Sequence, residues 1–132
     1  MRFLVDTSAW IEYLRATGSA VNRTVRSGLV DNRLVTTDAV VLEVLAGARD
    51  EHGAFDLSVL LARAEFVPQS PMSDVESAAR LYRACRRQGK KPRSQIDCLI
   101  AAVAIRNGIP VLHRDRDFGV IAEHSALELV TP

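Results

Sequence analysis

The chain has 132 residues, of which 48% are hydrophobic and 25% charged, a balance that excludes a disordered segment. A core at this length removes roughly two-thirds of the unfolded chain's surface from water, so no disulfide or zinc staple is required. The formal net charge of +1 hides an uneven distribution, because Arg80, Arg83, Arg86, Arg87, Lys90, Lys91 and Arg93 follow one another with no acid between them.

One domain spanning residues 1–132 is expected, with no linker, repeat or low-complexity tract. No stretch approaches the roughly 20 apolar residues that span a bilayer. Phe3-Leu4-Val5 is too short for a signal peptide. Cys85 and Cys98 form no C-x-x-C pair, which fits a reducing cytoplasm and not a zinc site.

In chain order, Phe3-Leu4-Val5 reads as a short strand buried on both faces. Thr7 or Ser8 then caps a helix to about Arg15, with Trp10, Ile11 and Leu14 on one apolar face. A second helix from Ala20 to Ser27, stopped by Gly28, leads to a strand at Leu34-Val35-Thr36. Asp38 is the expected N-cap of a helix over Ala39 to Ala48, whose apolar residues leave Glu43 as its only charge and predict burial on most sides. A helix from Gly53 to Ala64 precedes a strand at Glu65-Phe66-Val67, ended by Pro68.

Ser73 followed by Glu76 predicts a capping box opening a helix to Gln88, with Gly89 at its end. Ser94 opens the next helix, where Ile96, Leu99, Ile100, Val103 and Ala104 recur at helical spacing until Gly108. Ile109 to Leu112 reads as a strand, Phe118 to Ala122 as a short helix, and Leu127 to Val130 as a terminal strand. Alternating strands and helices predict a three-layer α/β/α sandwich with a short, mainly parallel sheet.

Ligands of such sheets gather at the carboxyl ends of strands, where Asp6 and Asp115 lie. With Glu43 and Asp97 they form a candidate set of four carboxylates, which repel one another unless a cation joins them. Oxygen-only ligands select Mg²⁺ or Mn²⁺, and one or two such ions suit the hydrolysis of a phosphodiester. Asp6 is the central ligand of this set, and Asp117 an auxiliary one.

Each acid also has a plainer reading. Asp6 can cap the first helix, and Asp97 lies where a carboxylate favours the helix dipole. Glu43 can pair with an arginine, and Asp115 and Asp117 with the neighbouring Arg114 and Arg116. Thr7 and Ser8 place hydroxyls beside Asp6, to orient it or to meet a phosphate, and capping is equally open to them. Arg80, Arg83 and Arg87 share a helical face by spacing, and Lys90, Lys91 and Arg93 extend the charge toward Asp97, as a nucleic-acid backbone requires. A solvated face is the alternative.

Taken together, four segments resemble the PIN-domain family, in particular the VapC-type toxins. They are Val5-Asp6-Thr7-Ser8-Ala9-Trp10-Ile11-Glu12, Glu43 with Leu45-Ala46-Gly47, Asp97-Cys98-Leu99-Ile100-Ala101-Ala102, and His113-Arg114-Asp115-Arg116-Asp117-Phe118. The resemblance covers essentially the whole chain. It implies a PIN-like fold and a Mg²⁺- or Mn²⁺-dependent ribonuclease site at Asp6, Glu43, Asp97 and Asp115, with Asp117 assisting a second ion. It further implies cleavage of single-stranded loops of tRNA or ribosomal RNA, leaving 3′-hydroxyl and 5′-phosphate ends, with metal-bound water as nucleophile. A homodimer and a small VapB-type antitoxin filling the active-site groove are also implied, with Trp10, Ile11 and Leu14 as candidate contacts. His113 departs from the pattern, because many relatives carry Thr or Ser there.

Two further Mg²⁺-binding folds fit less well. A receiver domain needs an aspartate after the middle strand, where Phe66-Val67-Pro68-Gln69-Ser70 has none, and a haloacid-dehalogenase-type phosphatase needs one where Ser8 stands. A non-enzymatic RNA- or protein-binding module remains the alternative to a nuclease.

Overall fold

The computed structural model describes residues 1–132. Strand β1 (Phe3–Val5) lies between β2 (Leu34–Thr36) and β4 (Val111–Leu112), and β3 (Glu65–Phe66) pairs with the outer side of β2. All pairings are parallel, with Leu4 opposite both Val35 and Val111. Successive residues of a strand point to opposite faces, and Phe3, Leu4 and Val5 are all buried. Both faces of the sheet are therefore covered by helices, which gives the α/β/α layering read from the sequence.

Helices α1 (Thr7–Leu14) and α2 (Ala20–Val30) pack together after β1. Gly28 does not stop α2 but lies inside it. A Cβ at Gly28 would stand 2.3 Å from Leu34 Cδ2 and 3.0 Å from Phe3 Cζ. The missing side chain is what allows the helix to approach the sheet so closely.

Helix α3 (Asp38–Ala46) begins one residue earlier than expected, with Thr37 at its N-cap. The Asp38 carboxylate instead accepts the Gln69 backbone N–H at 2.7 Å, tying α3 to the segment that follows β3. Burial of α3 is also narrower than its composition suggests: Ala39, Val40 and Val44 are buried, whereas Leu42 is 62% exposed. Helix α4 (Glu51–Leu61) is capped by Asp50, which accepts the Gly53 N–H.

The expected capping box at α5 (Ser73–Arg87) does not form. Its N-cap is Met72, and the Ser73 hydroxyl donates to Ser70 Oγ. Asp74 holds this end instead, accepting the Ser70 N–H and a two-pronged bond from Arg106 of α6 (Gln95–Asn107). Helix α6 follows the sequence reading closely: the Ser94 hydroxyl caps it by accepting from Ile96 N–H, and Gly108 ends it at φ +63°. Helix α7 (Arg116–Glu123) starts earlier than expected, with Asp115 as its cap. The terminal strand reduces to one bridge between Val111 and Leu129.

This connectivity decides where a site can form. The chain builds outward from β1 through β2 to β3, then returns to place β4 on the other side of β1. The carboxyl ends of β1 and β4 flank the point where strand order reverses, so the loops after them diverge to opposite layers and leave a crevice.

Candidate active site

Asp6 follows β1 and caps α1: its Oδ2 accepts the Ser8 N–H at 3.0 Å and the Ser8 hydroxyl at 2.5 Å. Capping and site membership are thus compatible. Its other oxygen, Oδ1, is buried with no hydrogen-bond partner. Glu43 reaches the crevice from α3 and accepts the Thr7 hydroxyl at 2.7 Å, rather than an arginine. Asp97, in the first turn of α6, is buried and receives no hydrogen bond from any side chain or backbone group. Oxygens of Asp6, Glu43 and Asp97 lie within 4.8 Å of one another.

A second group shares Asp97 and adds Asp115 and Asp117, again within 4.8 Å. Here the protein supplies donors. Asp115 Oδ1 accepts the Asp117 N–H at 3.0 Å and Arg93 Nη2 at 3.1 Å, and Asp117 Oδ2 accepts the Arg93 backbone N–H at 3.0 Å. The partner of these acids is Arg93, not the adjacent Arg114 or Arg116. The Arg114 N–H donates instead to Ser8 Oγ at 2.8 Å, fastening the loop after β4 to the start of α1.

The electrostatics reflect this uneven supply. Burial raises the Asp6 carboxyl to about 6, against the Ser8 hydrogen bonds and with help from the Glu43 charge. Burial, then the charges of Asp6, Asp115, Glu43 and Asp117, pushes Asp97 up to about 8. A cation reverses both effects by favouring the ionised forms. The unpaired Asp6 oxygen, the donor-free Asp97 and the all-oxygen set fit a hard metal ion.

A cavity of about 400 Å³ contains these groups, lined by Asp6, Glu43, Asp97, Asp115 and Asp117 with Thr7, Ser8, Ile11, Arg93 and Ser94. A model of the PIN domain matches residues 3–124. The chain belongs to the PIN-domain family. Over 127 residues it is 42% identical to "Ribonuclease VapC11" of Mycobacterium tuberculosis, covering 95% of each chain, and so stands among the VapC ribonucleases. The fold also matches a chain of VapBC2 from Rickettsia felis, solved bound to a promoter DNA fragment, with a TM-score of 0.77, 16% identity and 98% of both chains covered. VapC20 of M. tuberculosis, described as a sarcin–ricin-loop-cleaving toxin, matches with a TM-score of 0.64 and 17% identity, covering 95% of this chain and 98% of that one.

Within this PIN domain the basic residues do not act as one stripe. Arg83 lines an apolar groove between α5 and α6 with Arg86 and Tyr82, whereas Arg80 and Arg87 line another with Arg106 and His124. Lys90 pairs with Glu123 at 3.2 Å, and Lys91 is exposed. Of the predicted phosphate contacts only Arg93, Thr7 and Ser8 line the acid cavity. Trp10, offered as a partner contact, is fully buried and belongs to the core, while Ile11 and Leu14 are 42% and 49% exposed. His113 stacks beside Phe118, and its Nδ1 accepts the Asp115 N–H, so it shapes the loop that carries Asp115.

Sequence reasoning misses Ser94 and Ile11 as lining residues, because the one reads as a cap and the other as a partner contact. Proximity of both to the acids follows from where α1 and α6 begin, at the crevice. No helix of the chain is long and apolar enough to cross a membrane.

Proposed function

We propose that this PIN domain is a single-domain, Mg²⁺- or Mn²⁺-dependent endoribonuclease, the toxin of a VapBC-type pair, which cuts single-stranded loops of structured RNA and so inhibits translation and growth. The carrying observation is the meeting of Asp6, Glu43 and Asp97 in one cavity, with Asp6 Oδ1 and the whole Asp97 carboxylate lacking protein donors. Kinship with VapC11 supports the ribonuclease reading.

In this reading Asp6, Glu43, Asp97 and Asp115 are the catalytic carboxylates that would hold the metal, and Asp117 assists through the Arg93 segment it binds. A bound divalent ion would supply Lewis acidity and a nucleophilic water at neutral pH. The chain's own groups set the geometry: Ser8 fixes the face of Asp6, Thr7 fixes Glu43, and the start of α6 holds Asp97. Arg93, with 64% of its side chain exposed at the rim, faces an incoming phosphate, and Lys91 adds local positive charge.

Loop RNA is recognised by shape and unpaired bases, which suits a chain without a base-reading module. The description of VapC20 as cleaving the sarcin–ricin loop supports a structured RNA loop as the target, and tRNA or rRNA is the substrate class proposed. A VapB-type antitoxin would lie along the groove beside α1, where Ile11 lines the acid cavity and Leu14 is exposed on the same helix. A cytoplasmic homodimer is the proposed working form.

The test is cleavage of structured RNA by the purified protein with Mg²⁺ or Mn²⁺, with Asp6→Asn as control and circular dichroism to verify its fold. Cleavage that needs the metal and is lost in the variant is expected. Equal cleavage by a folded Asp6→Asn protein would refute the proposal.

A further inference from the structure

Arg93 is placed by its backbone before its side chain acts. It lies immediately before Ser94, the cap of α6, and its N–H is bound to Asp117 in the first turn of α7. Two helix N-termini thus converge on this residue. Its side chain then crosses the outer acids, with Nη2 at 3.1 Å from Asp115 Oδ1 and Nε at 3.5 Å from Asp117 Oδ2.

These acids, with Asp97, are the second of the two carboxylate groups able to hold a metal ion. The first group, Asp6, Glu43 and Asp97, receives no cation from the protein: its only side-chain donors are the Thr7 and Ser8 hydroxyls. One half of the cup is therefore filled by a guanidinium, and the other is left to an ion.

We propose that Arg93 is the resident cation of the outer half of the site, so that a single divalent ion, bounded by Asp6, Glu43 and Asp97 and open to Asp115 only through the oxygen that Arg93 leaves free, completes it. This inference rests on the metal-site reading above. A second divalent ion would have to displace the Arg93 hydrogen bond to Asp115 and its ion pair with Asp117, or sit beside a positive charge. Arginine suits the post because it stays protonated and its planar fork spans two acceptors. Its remaining N–H groups, on an exposed side chain, can meet a substrate phosphate where a second ion would otherwise do so.

The experiment is a Mn²⁺ titration followed by calorimetry and electron paramagnetic resonance, on the wild type, Arg93→Gln and Arg93→Lys. The wild type is expected to bind one Mn²⁺ per chain with the spectrum of an isolated ion. Arg93→Gln is expected to bind two, close enough to give an exchange-broadened spectrum. Arg93→Lys keeps the charge and is expected to remain at one. Two ions in the wild type, one in folded Arg93→Gln, or two in Arg93→Lys would overturn the role of Arg93 and leave the metal site standing. Failure of every form to bind Mn²⁺ would overturn both. The wild-type stoichiometry tests the idea without any variant, and Arg93→Gln keeps the backbone bond that orders the segment.

Discussion

Asp74 and Asp97 are the same residue type in the same kind of place, the first turn of a helix, and both are buried. Their surroundings are opposite. Asp74 accepts from Arg106 Nε at 2.9 Å, from Arg106 Nη2 at 2.8 Å and from the Ser70 N–H at 2.7 Å. Burial raises its carboxyl, but the Arg106 and Ser70 bonds outweigh that and hold it below the ordinary aspartate value. Asp97 has no donor and four acidic neighbours, and is pushed up to about 8. A buried carboxylate that the protein satisfies is structural, whereas one it leaves unsatisfied among like charges is poised for something from outside.

The sharpest way to break this contrast is Asp97→Asn. RNA cleavage should fall by more than the roughly 10–100-fold typical of losing a metal's outer-sphere partner. Metal-free thermal stability should hold near neutral pH and rise at pH 9, where the Asp97 carboxyl is ionised among its acidic neighbours and Asn carries no charge. A destabilised but active variant would place Asp97 with Asp74 as a structural acid.

Metal comes next in size. Mg²⁺ or Mn²⁺ at about 100 times its dissociation constant should stabilise the folded wild type by about 2.7 kcal/mol. Thermal melts with and without EDTA measure this, and Asp97→Asn should show little of it. Asp74→Asn, in contrast, should keep its response to Mg²⁺ and its activity per folded molecule. It should lose about 1–3 kcal/mol in urea denaturation, because the amide keeps one acceptor oxygen but turns an uncharged NH2 toward donors that both carboxylate oxygens now satisfy. Loss of metal binding in that variant would mean that the two sites are coupled.

The pH dependence comes last, spread over several pH units, and there Asp97 and Asp74 act with opposite sign. Asp97 at about 8 and Asp6 at about 6 both lie above their ordinary value of 3.8. Their contribution is fully present below about pH 4 and is lost as pH rises through 6 and then 8. The metal-free protein should therefore melt at a lower temperature at pH 9 than at pH 6, and Mg²⁺ should reduce the difference. The Asp74 contribution is present above its unfolded value and is lost only as acid titrates its depressed folded value. A metal-free melting temperature that is flat or rises from pH 6 to pH 9 would contradict the raised values.

Much of this arrangement was legible in the residues, and for local reasons. Ser94 and Gly108 bracket α6 because one side chain accepts an orphan N–H and the other residue tolerates positive φ. Asp6 stands out because it directly follows an apolar strand, and Asp115 because it lies three residues beyond another. The errors were local signals overruled by distant ones. Asp38 left its capping role to bind Gln69, and Ser73 gave way to Asp74 once Arg106, 32 positions later, supplied a partner. Gly28 reads as a stop until Leu34 and Phe3 are seen pressing against it. Composition placed α3 in the core, but one face of a helix that packs only partly stays in water, and Leu42 is on it.

By itself the chain determined the order of strands and helices, the residue types able to hold a metal, and their positions at strand and helix ends. Those properties depend on neighbours a few residues away. Only the tertiary structure decided which acids remain unsatisfied, because hydrogen-bond donors such as Arg93 and Arg106 arrive from remote segments, and burial strengthens every charge they fail to neutralise.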